Sequence, residues 1–179
     1  MLKAHEKEDY NSNMRPQGNR NNPNQPPSEF EEQVVQISRV SKKTKGGNKI
    51  GFTALAVVGD KKGRVGVGLG KAPDVSAAIR KGIAYAKKHL IDVPLVNGTI
   101  PFRIDVKVGA AKIMLKPAPP GSGVIAGGAV RSVVAAAGIK NISSKVLGTN
   151  NKANNVHATL EALKRVSEQA KQHQARRAK

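Results

Sequence analysis

Between positions 39 and 49 the chain reads Arg39-Val40-Ser41-Lys42-Lys43-Thr44-Lys45-Gly46-Gly47-Asn48-Lys49, with five cationic side chains, no acid and two adjacent glycines. Ammonium and guanidinium groups at this density pair with phosphates, and glycine lets backbone N–H groups approach the same oxygens. The spacing predicts a loop held out between two strands. Its candidate RNA-binding residues are Arg39, Ser41, Lys42, Lys43, Lys45, Gly46, Gly47 and Lys49. A run of charge is most often just a solvated surface, but the absence of a balancing acid in a strongly basic chain favours RNA contact here.

Other chemistry is thinly supplied. Gly63, Gly66, Gly68 and Gly70-Lys71 invite a nucleotide-binding reading, which the spacing refuses. A phosphate-cradling G-x-x-x-x-G-K loop needs glycine where Val65 stands and Ser or Thr where Ala72 stands. The dinucleotide pattern G-x-G-x-x-G fails at Lys71 and Pro73. Alternation with Val65, Val67 and Leu69 predicts instead that the glycines flatten one strand face for close packing. The histidines His5, His89, His157 and His173 are scattered, and no base or metal set accompanies Asp60 or Asp105, so no catalytic and no metal site is predicted. Phe52, Tyr85 and Phe102 are the aromatic residues beyond the tail and its border, too few for stacking single-stranded bases. RNA would be held by its backbone and shape.

Gly121-Ser122-Gly123, followed by Gly127-Gly128 and Arg131, leaves two readings open. An exposed helix N-terminus attracts phosphate. Small residues also let another protein surface pack closely, and Arg131 suits either partner.

The elements that must position these groups follow from periodicity. Val35 and Ile37 start an alternating strand, Ile50 to Val58 forms a second, and Arg64 to Leu69 a third with Val65, Val67 and Leu69 on one face. Pro73 and Asp74 suit a helix first turn, followed by an apolar stripe of Val75, Ile79, Ile83, Ala86 and Leu90. This predicts a three-stranded meander closed by one helix. Beyond Pro94, Asn97-Gly98 signals a hairpin, Phe102 to Val108 and Ala111 to Lys116 two further strands, and PAPPGSG a turn-rich loop. A small-residue helix with Ile125, Ala129, Val130, Val133 and Ala137 inward follows. A strand over Ile142 to Leu147 and an amphipathic helix bearing Val156, Leu160, Leu163 and Val166 complete the pattern. The fold class is α+β, in two small units over 31–93 and 94–170, with an Asn/Pro-rich tail over 1–30 and a basic end over 171–179. The first stretch lacks apolar period and is predicted to be disordered. It has no apolar segment of a secretory signal, and its acids argue against a transit peptide.

Composition agrees. The 179 residues carry 31 Lys and Arg against 12 Asp and Glu, a net +19. Four of those bases and six of those acids precede Gln33, so the remainder holds 27 bases against six acids, a net of +21. Such a body repels itself unless a polyanion neutralises it. No apolar run approaches membrane-spanning length. With no cysteine, disulfides, thiol catalysis and Cys-ligated zinc are excluded. A free RNA chaperone and a phosphate-transferring enzyme remain as rival classes, the second requiring nucleotide binding that Lys71→Ala abolishes.

Two blocks, VSKKTKGGNKIGFTALAVVGDKKGRVGVGLGKAPDVSAAIRK and PAPPGSGVIAGGAVRSVVAAAGIKNISSKVLGTNN, closely resemble the bacterial-type small-subunit ribosomal protein S-five family over residues 31–165. The resemblance implies a non-catalytic component of the small ribosomal subunit, without cofactors, working in the cytoplasm or on a plastid ribosome and supporting translational accuracy. It implies a double-stranded-RNA-binding-like amino-terminal domain. The carboxy-terminal domain would be a ribosomal two-layer α/β fold with a left-handed crossover, an exception to the usual hand. It further implies that the 40–49 loop reaches small-subunit ribosomal RNA beside the spectinomycin site, with Ser41, Lys45, Gly46 and Gly47 at resistance positions. Gly123 and Arg131 match positions contacting ribosomal protein S-four, and ribosomal protein S-eight would be a second neighbour. The free double-stranded-RNA module has a Lys-rich helix start; here Pro73-Asp74-Val75 stands there, and Arg80-Lys81 and Lys87-Lys88 come later, which points to the loop as the RNA contact.

Overall fold

A computed structural model describes residues 29–177; residues 1–28, nearly all of the expected tail and including His5, and the last two residues lie outside that range. The first half comprises β1 (Glu31–Thr44), β2 (Gly47–Gly59), β3 (Arg64–Ala72), α1 (Val75–Lys88) and β4 (Leu90–Asp92). The strands form an antiparallel sheet in the order β1-β2-β3-β4. The second half comprises β5 (Ile104–Val108), β6 (Ala111–Pro117), β7 (Val124–Ile125), α2 (Gly128–Ala137), β8 (Ile142–Leu147) and α3 (Lys152–Arg177). Its sheet order is β5-β6-β8-β7, with β7 and β8 parallel and joined through α2. The architecture is mixed α and β, as expected.

Asp74 starts α1 because its carboxylate accepts from the Ser76 and Ala77 amides, satisfying two donors that a helix leaves unpaired. The buried line of the helix differs from the expected stripe. It is Ala78, Gly82 and Ala86, while Val75, Ile79 and Ile83 are only half-buried. The reason lies in β3, whose Gly66, Gly68 and Gly70 face the helix. A β-carbon at these glycines would overlap the carbonyls of Ala86, Gly82 and Ala78 respectively, so helix and sheet meet backbone to backbone. The glycines thus flatten the strand face, as their alternation predicts. His89 caps the helix, and Leu90, expected on its stripe, instead starts β4 and pairs with Gly66. The meander gains a fourth strand that periodicity could not show in three residues.

The opposite face of this sheet joins the second half. Leu55, Val57, Val65 and Val67 form one cluster with Val130, Val133 and Val134 of α2 and Val156, Leu163 and Val166 of α3. Leu69 shares the face of Val65 and Val67 but is 51% exposed, because it lies outside that shared core. At the seam the Lys61 and Gly63 amides donate to the Ala136 and Ala137 carbonyls (3.1 and 3.0 Å), occupying acceptors at the end of α2. A β-carbon at Gly59 or Gly138 would strike backbone across this seam.

Three further expectations change. Ile125 is not an inward helix residue but belongs to β7 and is 57% exposed. Gly123, at φ +68°, turns the chain so that its carbonyl accepts from the Ile142 amide, setting β7 beside β8 and delaying α2 to Gly128. Asn97 and Gly98 both take positive φ, as a two-residue turn requires, yet they close only an isolated Val96–Thr99 bridge. The Gly98 carbonyl accepts from the Lys140 and Asn141 amides, tying the turn to the end of α2. Finally, α3 runs 26 residues to Arg177, so residues 171–177 are helical, and His173 packs against the Phe102 ring at 4.9 Å.

Candidate nucleic-acid interface

The predicted basic loop is the outer half of a two-stranded arm. β1 continues to Thr44 and β2 begins at Gly47, leaving Lys45 and Gly46 as the turn. Lys42 pairs with Lys49, Lys43 with Asn48 and Thr44 with Gly47, and the Thr44 hydroxyl donates to the Gly47 carbonyl at 2.9 Å. The strands extend this far for a simple reason. With the turn at Lys45-Gly46, the alternating residues before and after it continue the ladder outward, so the charges ride on strands.

The ladder sorts the cations. Arg39, Ser41 and Lys43 share the α1 side of the sheet with Ile37, which pairs with the helix-packed Ala54. Lys42 and Lys49 lie directly opposite one another on the other side, where Lys71, paired with Thr53, also lies. Lys45 stands at the tip. All of the candidate residues from Arg39 to Lys49 are exposed. A groove of about 320 Å³ opens where β3 departs, lined by Val40, Ile50 and Gly51 and by Lys42, Lys49 and Lys71. Lys71, weighed in the sequence only as a nucleotide ligand, thus joins the basic arm; strand register is what places it there.

Facing lysines have β-carbons about 4.5–5.5 Å apart and repel. No carboxylate relieves Lys42 and Lys49: among the described residues neither they nor Arg39, Lys43, Lys45 or Lys71 take part in an ion pair. Most of the described acids are engaged elsewhere. Glu31 and Glu32 bind Lys61 and Lys87, Asp105 binds Arg103, Glu161 binds Arg165, and Asp74 caps α1. Asp60, with a side chain only 4% exposed, accepts from the Lys62 amide (2.7 Å), the Arg64 amide (2.9 Å) and Arg64 Nε (2.7 Å). Burial raises the pKa of this carboxyl, but the Arg64 guanidinium and the two amides outweigh it and hold it below the usual carboxylate value.

Gly46 is also informative. A β-carbon there would meet nothing within 4 Å, so packing within the chain does not demand glycine.

Gly123 and Arg131 come together on a second surface. Arg131 Nη2 donates to the Val124 carbonyl at 3.1 Å, bracing the segment that Gly123 opens. The Gly121 and Gly123 amides both donate to Asn141 Oδ1, at 3.1 and 3.2 Å. These amides are therefore spent inside the chain, which removes them as phosphate donors. Asn141, buried and missed in the sequence, is the clamp of this loop. Its only sequence signal was a polar residue just before an apolar strand.

The fold and these surfaces define a basic α+β scaffold that presents cations on a projecting arm. The profile described as Ribosomal protein S5, N-terminal domain, matches residues 30–94, and that described as Ribosomal protein S5, C-terminal domain, matches residues 106–177. Among relatives named small ribosomal subunit protein uS5, that of Picosynechococcus sp. is 55% identical over 135 residues, 75% of this chain and 78% of the relative. That of Chloroflexus aurantiacus is 58% identical over 75% of this chain and 76% of the relative. That of Thermotoga neapolitana is 53% identical over 76% of each. The chain belongs to the ribosomal protein S5 family, whose members are structural rather than enzymatic.

Proposed function

We propose that this protein is a structural component of the small ribosomal subunit that binds ribosomal RNA through the arm over residues 39–49 and supports translational accuracy. The observation that carries the reading is the facing pair Lys42 and Lys49, exposed and, among the described residues, without a carboxylate partner, in a body of net +21. RNA phosphates supply the missing counter-charge, and Gly46, free of internal constraint, lets the tip lie close against the RNA backbone. The arm is the part that would stand beside the spectinomycin site.

On this reading residues 31–93 form a double-stranded-RNA-binding-like domain. Residues 94–170 form a two-layer ribosomal domain whose β7-α2-β8 crossover is left-handed. The Gly123–Arg131 surface contacts ribosomal protein S-four, which fits the inward commitment of its amides to Asn141. Ribosomal protein S-eight docks elsewhere on the carboxy-terminal half. The site of action is the ribosome, in the cytoplasm of a bacterium or in a plastid.

Sucrose-gradient fractionation tests the assignment. The protein is expected to sediment with small subunits through a high-salt wash. Recovery in the soluble pool at every salt concentration would contradict it and favour a free RNA chaperone.

A further inference from the structure

The pairing of facing lysines recurs far from the arm in sequence. In the second sheet, Lys107 of β5 lies directly opposite Lys112 of β6. Ile104 and Val106 of β5, and Ala111, Ile113 and Leu115 of β6, are buried, so the intervening residues point to the opposite, outer face. That face carries Lys107, Lys112, Lys116 and, from β8, Lys145, all exposed.

Register fixes their spacing. Lys145 pairs with Met114, which makes Lys112 and Lys116 its two diagonal neighbours. Diagonal neighbours on one sheet face stand about 7–8 Å apart and facing pairs about 5 Å. Lys107, Lys112, Lys145 and Lys116 are therefore a continuous chain of four cations. The acid on this face, Asp105, is taken by Arg103 at 3.1 Å. Among the described residues none of the four lysines has a carboxylate partner.

We propose that the outer face of the second sheet is a further RNA-phosphate platform, with Lys107, Lys112, Lys116 and Lys145 pairing with successive or adjacent backbone phosphates. The proposal rests on the reading of the protein as an RNA binder and adds a contact site separate from the arm. RNA is the occupant because the repulsion along the chain of lysines is relieved by anions repeating at similar intervals, and because this face has no stacking aromatic. Its recognition is accordingly of phosphates and not of bases.

The test uses the full chain and small-subunit ribosomal RNA, with binding measured from 50 to 300 mM salt for three proteins. These are the parent, a platform variant (K107Q/K112Q/K116Q/K145Q) and an arm variant (K42Q/K43Q/K45Q/K49Q). Each phosphate contact contributes roughly 0.7–0.9 to the slope of log affinity against log salt. The platform variant is expected to lower that slope by at least about 1.4, two contacts' worth at roughly 0.7 each. A parental slope in the platform variant, with a reduced slope in the arm variant, overturns the platform while leaving the RNA reading intact. Parental slopes in both overturn the RNA reading itself. If the fourfold variant melts early, the pair K112Q/K145Q replaces it, with an expected loss of about 0.7 or more. As the chain contains no cysteine, Lys112→Cys can carry a tethered hydroxyl-radical source. RNA cleavage from that position in the assembled subunit is expected; labelling of a neighbouring protein with no RNA cleavage would overturn the assignment of RNA as the occupant.

Discussion

Gly66, Gly68 and Gly70 have no choice of identity, because each faces a carbonyl of α1 with no room for a methyl group. Gly68→Ala is expected to destabilise the protein by about 3 kcal/mol, the upper part of the range for overpacked sites, since the obstruction is backbone and cannot rotate away. Urea denaturation measures this; a loss below about 0.5 kcal/mol would show that α1 lifts off the sheet easily. Asp60 makes a different prediction. Its carboxyl titrates lower in the folded chain than in the unfolded one, so its charge stabilises the fold above the ordinary carboxylate range and ceases to do so as the pH falls through the folded value. Asp60→Asn should cost about 1–2 kcal/mol at pH 6. The gap from the parent should shrink towards pH 3, and a gap unchanged with pH would contradict the role of the charge.

The arm and the turn over residues 60–63 are the elements on which position depends. The arm makes no contact with the shared core, so charge at its tip is free to change without loss of packing. Lys45→Glu is therefore expected to melt within about 0.5 kcal/mol of the parent while weakening RNA binding at least tenfold, by loss of one phosphate contact and repulsion of the next. A variant that binds as the parent does would remove the arm from the interface. Much of this was legible in the sequence. The 3.6-residue and two-residue periods place α1, α2, α3 and the inner parts of the long strands, and the glycine alternation in β3 announces a closely packed strand face. What escaped has physical reasons. β4 has three residues, too few to display a period. Ile125 is apolar yet exposed, since it sits in a two-residue strand fixed by Gly123 and Ile142 rather than in the helix. Asn141 acts through amides some 20 positions upstream, a relation that no local spacing encodes. The pairing of Lys42 with Lys49, and of Lys107 with Lys112, depends on register and so on where each turn falls.

Across the whole molecule, one hydrophobic core joins both sheets, while six of the nine described acids are tied to particular basic or backbone groups. The surface carries a surplus of positive charge, and two organised sets of it are the arm and the outer face of the second sheet. Neither set is balanced from within, and self-repulsion of this size works against the compact state unless counter-charge screens it. The central claim is thus that RNA phosphates complete the electrostatics of the working protein. The most direct test is its affinity for small-subunit ribosomal RNA as a function of salt. With roughly six to ten phosphate contacts, affinity should fall about 10³- to 10⁵-fold between 50 and 200 mM, taking duplex DNA as the guide. An affinity that stays level across that range would contradict the claim.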